Sequence, residues 1–189
     1  MAPRRTFVAL SLPDAIRAAL GELATRHLSA STPGLRWGDT AQAHLTLAFL
    51  GDLEDDAVAG VRICARRIAR DTEPFAADLR AAGAFPSAAR ARVLWLGWGV
   101  GAAPVSALQA RLVAALGAAG FALERRRFQP HVTLARSRGS IDLRAAVAAL
   151  EGWRSEPWTV TAIDVMTSRL TPAGARHTRL ERCWLGRRR

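Results

Sequence analysis

The pentapeptide His-x-Thr-Leu-Ala stands twice in this chain, as His44-Leu45-Thr46-Leu47-Ala48 and as His131-Val132-Thr133-Leu134-Ala135. Both copies lie in apolar alternation of period two, which predicts half-buried strands. Successive strand side chains point to opposite faces, so His44 and Thr46 share one face while Leu45 and Leu47 take the other. His131 and Thr133 stand in the same relation to Val132 and Leu134. A single copy reads as one satisfied histidine and one β-branched threonine on a sheet. Two copies, using two of only four histidines, predict a sheet architecture built twice, each half presenting an imidazole and a hydroxyl backed by core.

The flanking segments carry the same repetition. From Phe7 to His44 is 37 positions and from Val93 to His131 is 38, with the order strand, helix, strand, motif strand, helix in each half. The first half reads as a strand at residues 6–10, then a helix opened near Asp14 with Ile16, Leu20, Leu23 and His27 on one stripe. His27 is a packing residue there, since no ligand partner follows it. A loop at residues 29–34, the extended piece Leu35-Arg36-Trp37 and a turn at 38–41 lead to the motif. Asp52, Glu54, Asp55 and Asp56 suit a helix N-terminus. They open a second helix with Val58, Val61, Ala65 and Ile68 inward and Arg62, Arg66, Arg67 and Arg70 toward water. Strands at 74–79 and 92–98 follow, joined through Gly83-Ala84-Phe85-Pro86-Ser87. The second half adds a helix started by Pro104, with Val105, Leu108, Leu112 and Leu116 inward, ended by Gly117 and Gly120. A short strand at 121–123, the basic turn Arg125-Arg126-Arg127 and the second motif come next. Asp142 opens a fourth helix with Leu143, Val147 and Leu150 inward. Two long strands, 158–169 and 176–184, close the chain as a hairpin around Thr171-Pro172-Ala173-Gly174. Two related halves facing one another bring both His/Thr faces into one cleft.

With 189 residues the chain can bury a core as one domain or two closely packed lobes. Lys+Arg 27 against Asp+Glu 16 leaves a net charge of +11, and every one of the basic residues is arginine. Arginine forks match phosphate geometry, so the surplus suits a polyanionic partner as well as a plain solvated surface. The arginine run of the second helix is read as a solvated face. Cys64 and Cys183 form no metal-ligand spacing and read as buried or free thiols of a reducing cytosol. No apolar h-region follows the N-terminus and no run reaches the length of a spanning helix, so a cytoplasmic protein without a membrane partner is expected.

Two histidines and two hydroxyls in one cleft suit in-line displacement at phosphorus. One neutral imidazole takes a proton from the attacking hydroxyl while the other, protonated, donates to the leaving oxygen. Histidine fits because its pKa of about 6.5 keeps both forms accessible. The hydroxyls of Thr46 and Thr133 can donate to non-bridging oxygens, and Arg136, directly after the second motif, can add a charge-assisted contact. A cyclic phosphodiester offers two adjacent oxygens to two opposed imidazoles. No H-x-H, H-x-x-x-H or nearby carboxylate supports zinc, and no phosphate-loop, dinucleotide or nucleophile-elbow motif occurs. Neither a metal nor a cofactor is expected.

The paired motifs resemble those of the two-histidine (2H) phosphoesterase superfamily. Phe7-Val8-Ala9-Leu10 with Leu12-Pro13, Arg36-Trp37 ahead of the run from His44 to Gly51, and Phe85-Pro86 before Arg92-Val93-Leu94-Trp95-Leu96-Gly97 narrow the resemblance. So do Phe128-Gln129-Pro130 before His131, and Ser168-Arg169-Leu170-Thr171-Pro172-Ala173-Gly174. Together they are similar to the bacterial and archaeal RNA 2′,3′-cyclic phosphodiesterases, also called the 2′-5′ RNA ligase family. The resemblance implies an α+β, bilobal fold: two pseudo-symmetric lobes with antiparallel sheets lining a central cleft and helices outside, residues 1–189 forming a single domain of two interleaved lobes. It implies metal-independent hydrolysis of terminal 2′,3′-cyclic phosphates on RNA to 2′-phosphates. RNA 2′-5′ ligation in reverse follows from microscopic reversibility, although no ATP site stands in the sequence to drive it, and a monomer is expected. The resemblance makes His44 the proton donor and His131 the proton acceptor, with Thr46 and Thr133 holding the phosphate; Arg136 and Phe49 are the expected substrate-binding residues. The acid and base roles rest on the resemblance, since the residues alone leave them interchangeable. One departure is His177, where the family pattern leads one to expect tyrosine; the chain has no tyrosine. His177 is read as a packing replacement. The same fold acting on 2′,5′-linked oligonucleotides or small cyclic nucleotides, and a basic RNA-binding module without turnover, are the competing readings.

Overall fold

The computed structural model describes residues 3–27, 34–124, 126–171 and 174–187, with the backbone alone described at His27 and Leu170. The loop at 29–33, the packing of His27, Arg125 of the basic turn and the hairpin tip Pro172-Ala173 therefore lie outside the described residues. The elements are β1 (Arg4–Ser11), α1 (Asp14–His27), β2 (Leu35–Trp37), a 3₁₀ turn (Thr40–Gln42), β3 (His44–Leu53) and α2 (Asp55–Arg70). They continue with β4 (Phe75–Ala77), β5 (Leu79–Ser87), β6 (Arg90–Trp98), α3 (Ala102–Ala118), β7 (His131–Ile141), α4 (Arg144–Ala149), β8 (Trp158–Val160), β9 (Ala162–Thr171) and β10 (Gly174–Trp184).

The strands form two four-stranded antiparallel sheets and a small third one. The first sheet runs β10-β9-β1-β3, the second β2-β7-β6-β5, and β4 pairs with β8 alone. Each motif strand begins at its histidine, and β3 touches β7 where the two sheets meet. Leu45, Leu47, Val132 and Leu134 are buried as the alternation requires. Burying such side chains contributes about 1.5–3 kcal/mol each, and this anchors the motif strands whatever their outer faces carry. Helix α2 packs on β10, β9 and β1 through Val58, Val61, Ala65 and Ile68, and α3 lies beside it with Val105, Leu108, Leu112 and Leu116 buried. Cys64 and Cys183 are free buried thiols.

Several expectations are corrected. Residues 83–87 continue the strand β5, although their glycine and proline suggest a linker. Gly83 is required there by close approach, because a Cβ on it would fall inside the indole of Trp95. The strand expected at 74–79 breaks at Asp78. Its carboxylate accepts from Val100 N at 2.7 Å and from the Arg80 guanidinium, and this turns the chain from the small sheet into the second. The long strand expected at 158–169 breaks likewise at Thr161, because β8 pairs with β4 and β9 with β1. Residues 121–123 are not a strand: they alternate half-buried and exposed, with Phe121 against Gly60 of α2, but make no ladder. Helix α3 starts at Ala102 behind Gly101, whose φ of 79° suits glycine, so Pro104 sits inside the first turn and Gly117 within the helix. Helix α4 is only six residues, and Val147 is half-buried. Of the arginines expected in solvent on α2, Arg62 donates to the Leu180 carbonyl at 2.9 Å and Arg66 pairs with Glu181 on β10. Two of that run therefore fasten helix to hairpin.

Candidate active site

Both histidines enter their strands from the same local turn. His44 Nδ1 lies 2.8 Å from the carbonyl of Gln42, and His131 Nδ1 lies 2.7 Å from the carbonyl of Gln129. A carbonyl only accepts, so Nδ1 carries the proton in each ring and Nε2 is left to gain or lose one. The two units are thus Gln-x-His-x-Thr, one residue type longer than the repeated pentapeptide. Gln42 does more: its side chain donates to Asp39 Oδ2 at 2.7 Å and accepts from the backbone N–H of His177 at 2.7 Å. It fixes the turn before β3 to strand β10.

A bulge at the same motif position alters what alternation alone predicts. On β3, Thr46 pairs with Ala9 and Ala48 with Val8, leaving Leu47 without a cross-strand partner. On β7, Thr133 pairs with Trp95 and Ala135 with Leu94, leaving Leu134 unpaired. Each bulge inserts one residue and reverses the facing of the residues beyond it. The residue five beyond each histidine therefore joins the His/Thr face. That residue is Phe49, 39% exposed, in the first copy and the exposed Arg136 in the second. Strict period two would have put both into the core.

Aromatic rings wall each imidazole. His44 stands 5.1 Å from Phe7 and 5.0 Å, edge on, from His177. His131 stands 5.0 Å, edge on, from Phe85 and 6.0 Å from Trp95. Burial holds both imidazoles below the ordinary histidine pKa, against the opposing pull of their carbonyl partners. The nearby charges of His177, Arg136 and His131 depress His44 further, and that of Arg136 depresses His131. Arg136 thus acts electrostatically on both rings, and its guanidinium also lies 3.4 Å from Thr133 Oγ1. His177 is itself lowered by burial.

A cavity of about 690 Å³ opens here, lined by Thr46, Phe49, Phe85, His131, Thr133 and Arg136 among others. His44 adjoins it, two residues from Thr46 on the same face. Of the expected residues, Thr46, Phe49, His131, Thr133 and Arg136 line this one cavity, and His44 lies near enough to His131 and Arg136 to feel their charges. Sequence reasoning missed the carbonyls of Gln42 and Gln129 and the ring walls of Phe7, Phe85 and Trp95. The repetition of Gln two residues before each histidine was the available signal. Among the described residues no group of three or more His, Cys, Asp or Glu is arranged to hold a metal ion, and no helix is long and apolar enough to cross a membrane.

The chain is similar to known proteins. A model of the 2′-5′ RNA ligase superfamily matches residues 12–171. An Aeropyrum pernix protein named RNA 2′,3′-cyclic phosphodiesterase is 38% identical over 109 residues, spanning 57% of this chain and 60% of that protein. A Thermus thermophilus protein of the same name is 31% identical over 189 residues, covering 94% of this chain and 88% of that one. The crystal structure of E. coli LigT complexed with 3′-AMP superposes with a TM-score of 0.78 at 27% identity, covering 97% of this chain and 98% of that one.

Proposed function

The chain belongs to the 2′-5′ RNA ligase superfamily, and from that membership we propose that it is an RNA 2′,3′-cyclic phosphodiesterase that works by two-histidine acid–base catalysis. The observation that carries the reading is the pair of Gln-x-His-x-Thr units in one cleft, each with Nδ1 anchored on a carbonyl and Nε2 left for chemistry.

His131 takes a proton from water as the water oxygen attacks phosphorus. The bond from phosphorus to the 3′ oxygen breaks, and His44 gives its proton to that oxygen, leaving a 3′-hydroxyl and a 2′-phosphomonoester. Thr46 and Thr133 donate to the non-bridging oxygens, where charge concentrates in the transition state. Arg136 balances the phosphate, and the anion in turn offsets the positive charges that depress both imidazoles in the free protein. Replacing water by a 5′-hydroxyl in the same step gives a 2′-5′ linkage, so ligation needs no further residue. Every proton passes through an imidazole, which makes turnover in excess EDTA the expected result.

The test is incubation of the parent, His44→Ala and His131→Ala with an RNA ending in a 2′,3′-cyclic phosphate. Products are resolved by phosphorus NMR against 2′- and 3′-monophosphate standards. A 2′-phosphate product is expected, with turnover reduced roughly 10²–10⁴-fold in each variant, the usual contribution of one positioned acid or base. RNA bound without turnover by the parent would make the cleft a recognition module instead.

A further inference from the structure

The cleft holds more positive charge than one cyclic phosphate requires. Besides Arg136, its lining includes Arg92 of β6 and Arg126 and Arg127 from the segment before β7. Arg126 is matched by Glu124 at 3.0 Å, whereas Arg92 and Arg127 have no acidic partner among the described residues. Uncompensated guanidinium groups in one concave site repel each other, and an anion relieves that repulsion. Their position along the sheet is ordered. Gly97 of β6 lies opposite His131, Trp95 opposite Thr133 and Val93 opposite Arg136, so Arg92 comes next beyond Arg136, moving away from the reacting histidine. Strands advance about 3.3 Å per residue, so the Arg92 backbone lies three residues, roughly 10 Å, along β6 from the level of Thr133. The cavity of about 690 Å³ is also far larger than a phosphate, within the usual range of about 300–1,000 Å³ for small-molecule sites.

We propose that Arg92 and Arg127 form a second phosphate subsite, which takes the phosphate on the 5′ side of the ribose bearing the cyclic phosphate. This inference rests on the function proposed above. In a polynucleotide that group is a phosphodiester and in a mononucleotide a 5′-phosphomonoester; both present the anionic oxygens that guanidinium forks bind. The reacting end is thereby read together with the strand it terminates, and a cyclic nucleotide without a 5′-phosphate leaves the subsite empty.

The experiment measures kcat/KM for adenosine 2′,3′-cyclic phosphate, for the same compound carrying a 5′-phosphate, and for a dinucleotide ending in a 2′,3′-cyclic phosphate. It is done on the parent, Arg92→Ala, Arg127→Ala and the double variant. The parent should prefer the two substrates with a 5′-side phosphate by about tenfold or more, as expected for charge-assisted hydrogen bonds. The double variant should lose that preference while keeping its rate on the plain cyclic nucleotide, which also controls for folding. Preference shared by both substrates means that monoester and diester alike fill the subsite, preference confined to the dinucleotide means that the diester alone does, and either supports the subsite. Equal treatment of all three substrates by the parent, or an equal loss on all three in the variants, overturns it. If the parent turns over none of them, the proposed function itself fails; turnover without preference fails the subsite alone.

Discussion

His44 sits where every nearby charge opposes its own. Its ring meets His177 edge on at 5.0 Å and Phe7 at 5.1 Å, while Arg136 and His131 face it from β7. Burial and these charges lower its pKa, and as the proposed proton donor it works only while protonated. The alkaline limb of kcat/KM should therefore fall below the pH at which a free imidazole titrates. His177→Tyr removes one opposing charge, so His44 holds its proton to higher pH and the alkaline limb should move upward. A pH–rate profile reads this directly, and an unmoved limb would exclude coupling between the two rings. At this scale the histidines and threonines were legible because side-chain chemistry repeats in the sequence. The anchoring of Nδ1 was not, because a backbone carbonyl belongs to every residue type and only its position before the strand gives it a task.

Strand registers decide which of those residues share a face. Period-two reasoning places Thr46 and Thr133 correctly but sends Phe49 and Arg136 inward, since a bulge leaves no mark in the order of apolar and polar residues. Strand β5 escaped for a related reason: its Ala/Gly-rich run lacks the β-branched bulk that signals a strand, yet Gly83 is there to admit the Trp95 indole. That packing reaches the site, because Trp95 stacks with Phe85 at 5.1 Å and both rings wall His131. Gly83→Ala should displace the indole, cost about 1–3 kcal/mol through overpacking, and lower kcat/KM by shifting His131. Thermal melts and kinetics check it. Adding Trp95→Leu to the same chain should recover part of the stability. A Gly83→Ala protein as stable as the parent would mean that the indole is free to move aside.

Across the whole molecule the fold is the bilobal α+β fold of the two-histidine phosphoesterases, and its division into halves was visible from the repeated motif and the spacing of 37 and 38 positions. Hidden from the sequence was the exchange between halves. Strand β2 leaves the first half and pairs with β7, Arg36 lying opposite Arg136, while residues 121–123 make no matching ladder beside β3. A three-residue strand such as Leu35-Arg36-Trp37 shows which side is apolar but not which sheet it joins. This arrangement draws several arginines toward one cleft in a chain of net charge +11, so the folded state should gain stability from an anion bound there. A ligand that binds only the folded state stabilises it by about 2.7 kcal/mol at a hundredfold excess over Kd, and each kcal/mol raises Tm by roughly 2–4 °C in a protein of this size. Inorganic phosphate added at constant ionic strength should raise Tm saturably, and Arg136→Ala should flatten the rise by removing a guanidinium that lies 3.4 Å from Thr133 Oγ1. A rise that is linear in phosphate and identical in both proteins would reflect general salt exclusion and would place no anion at the cleft.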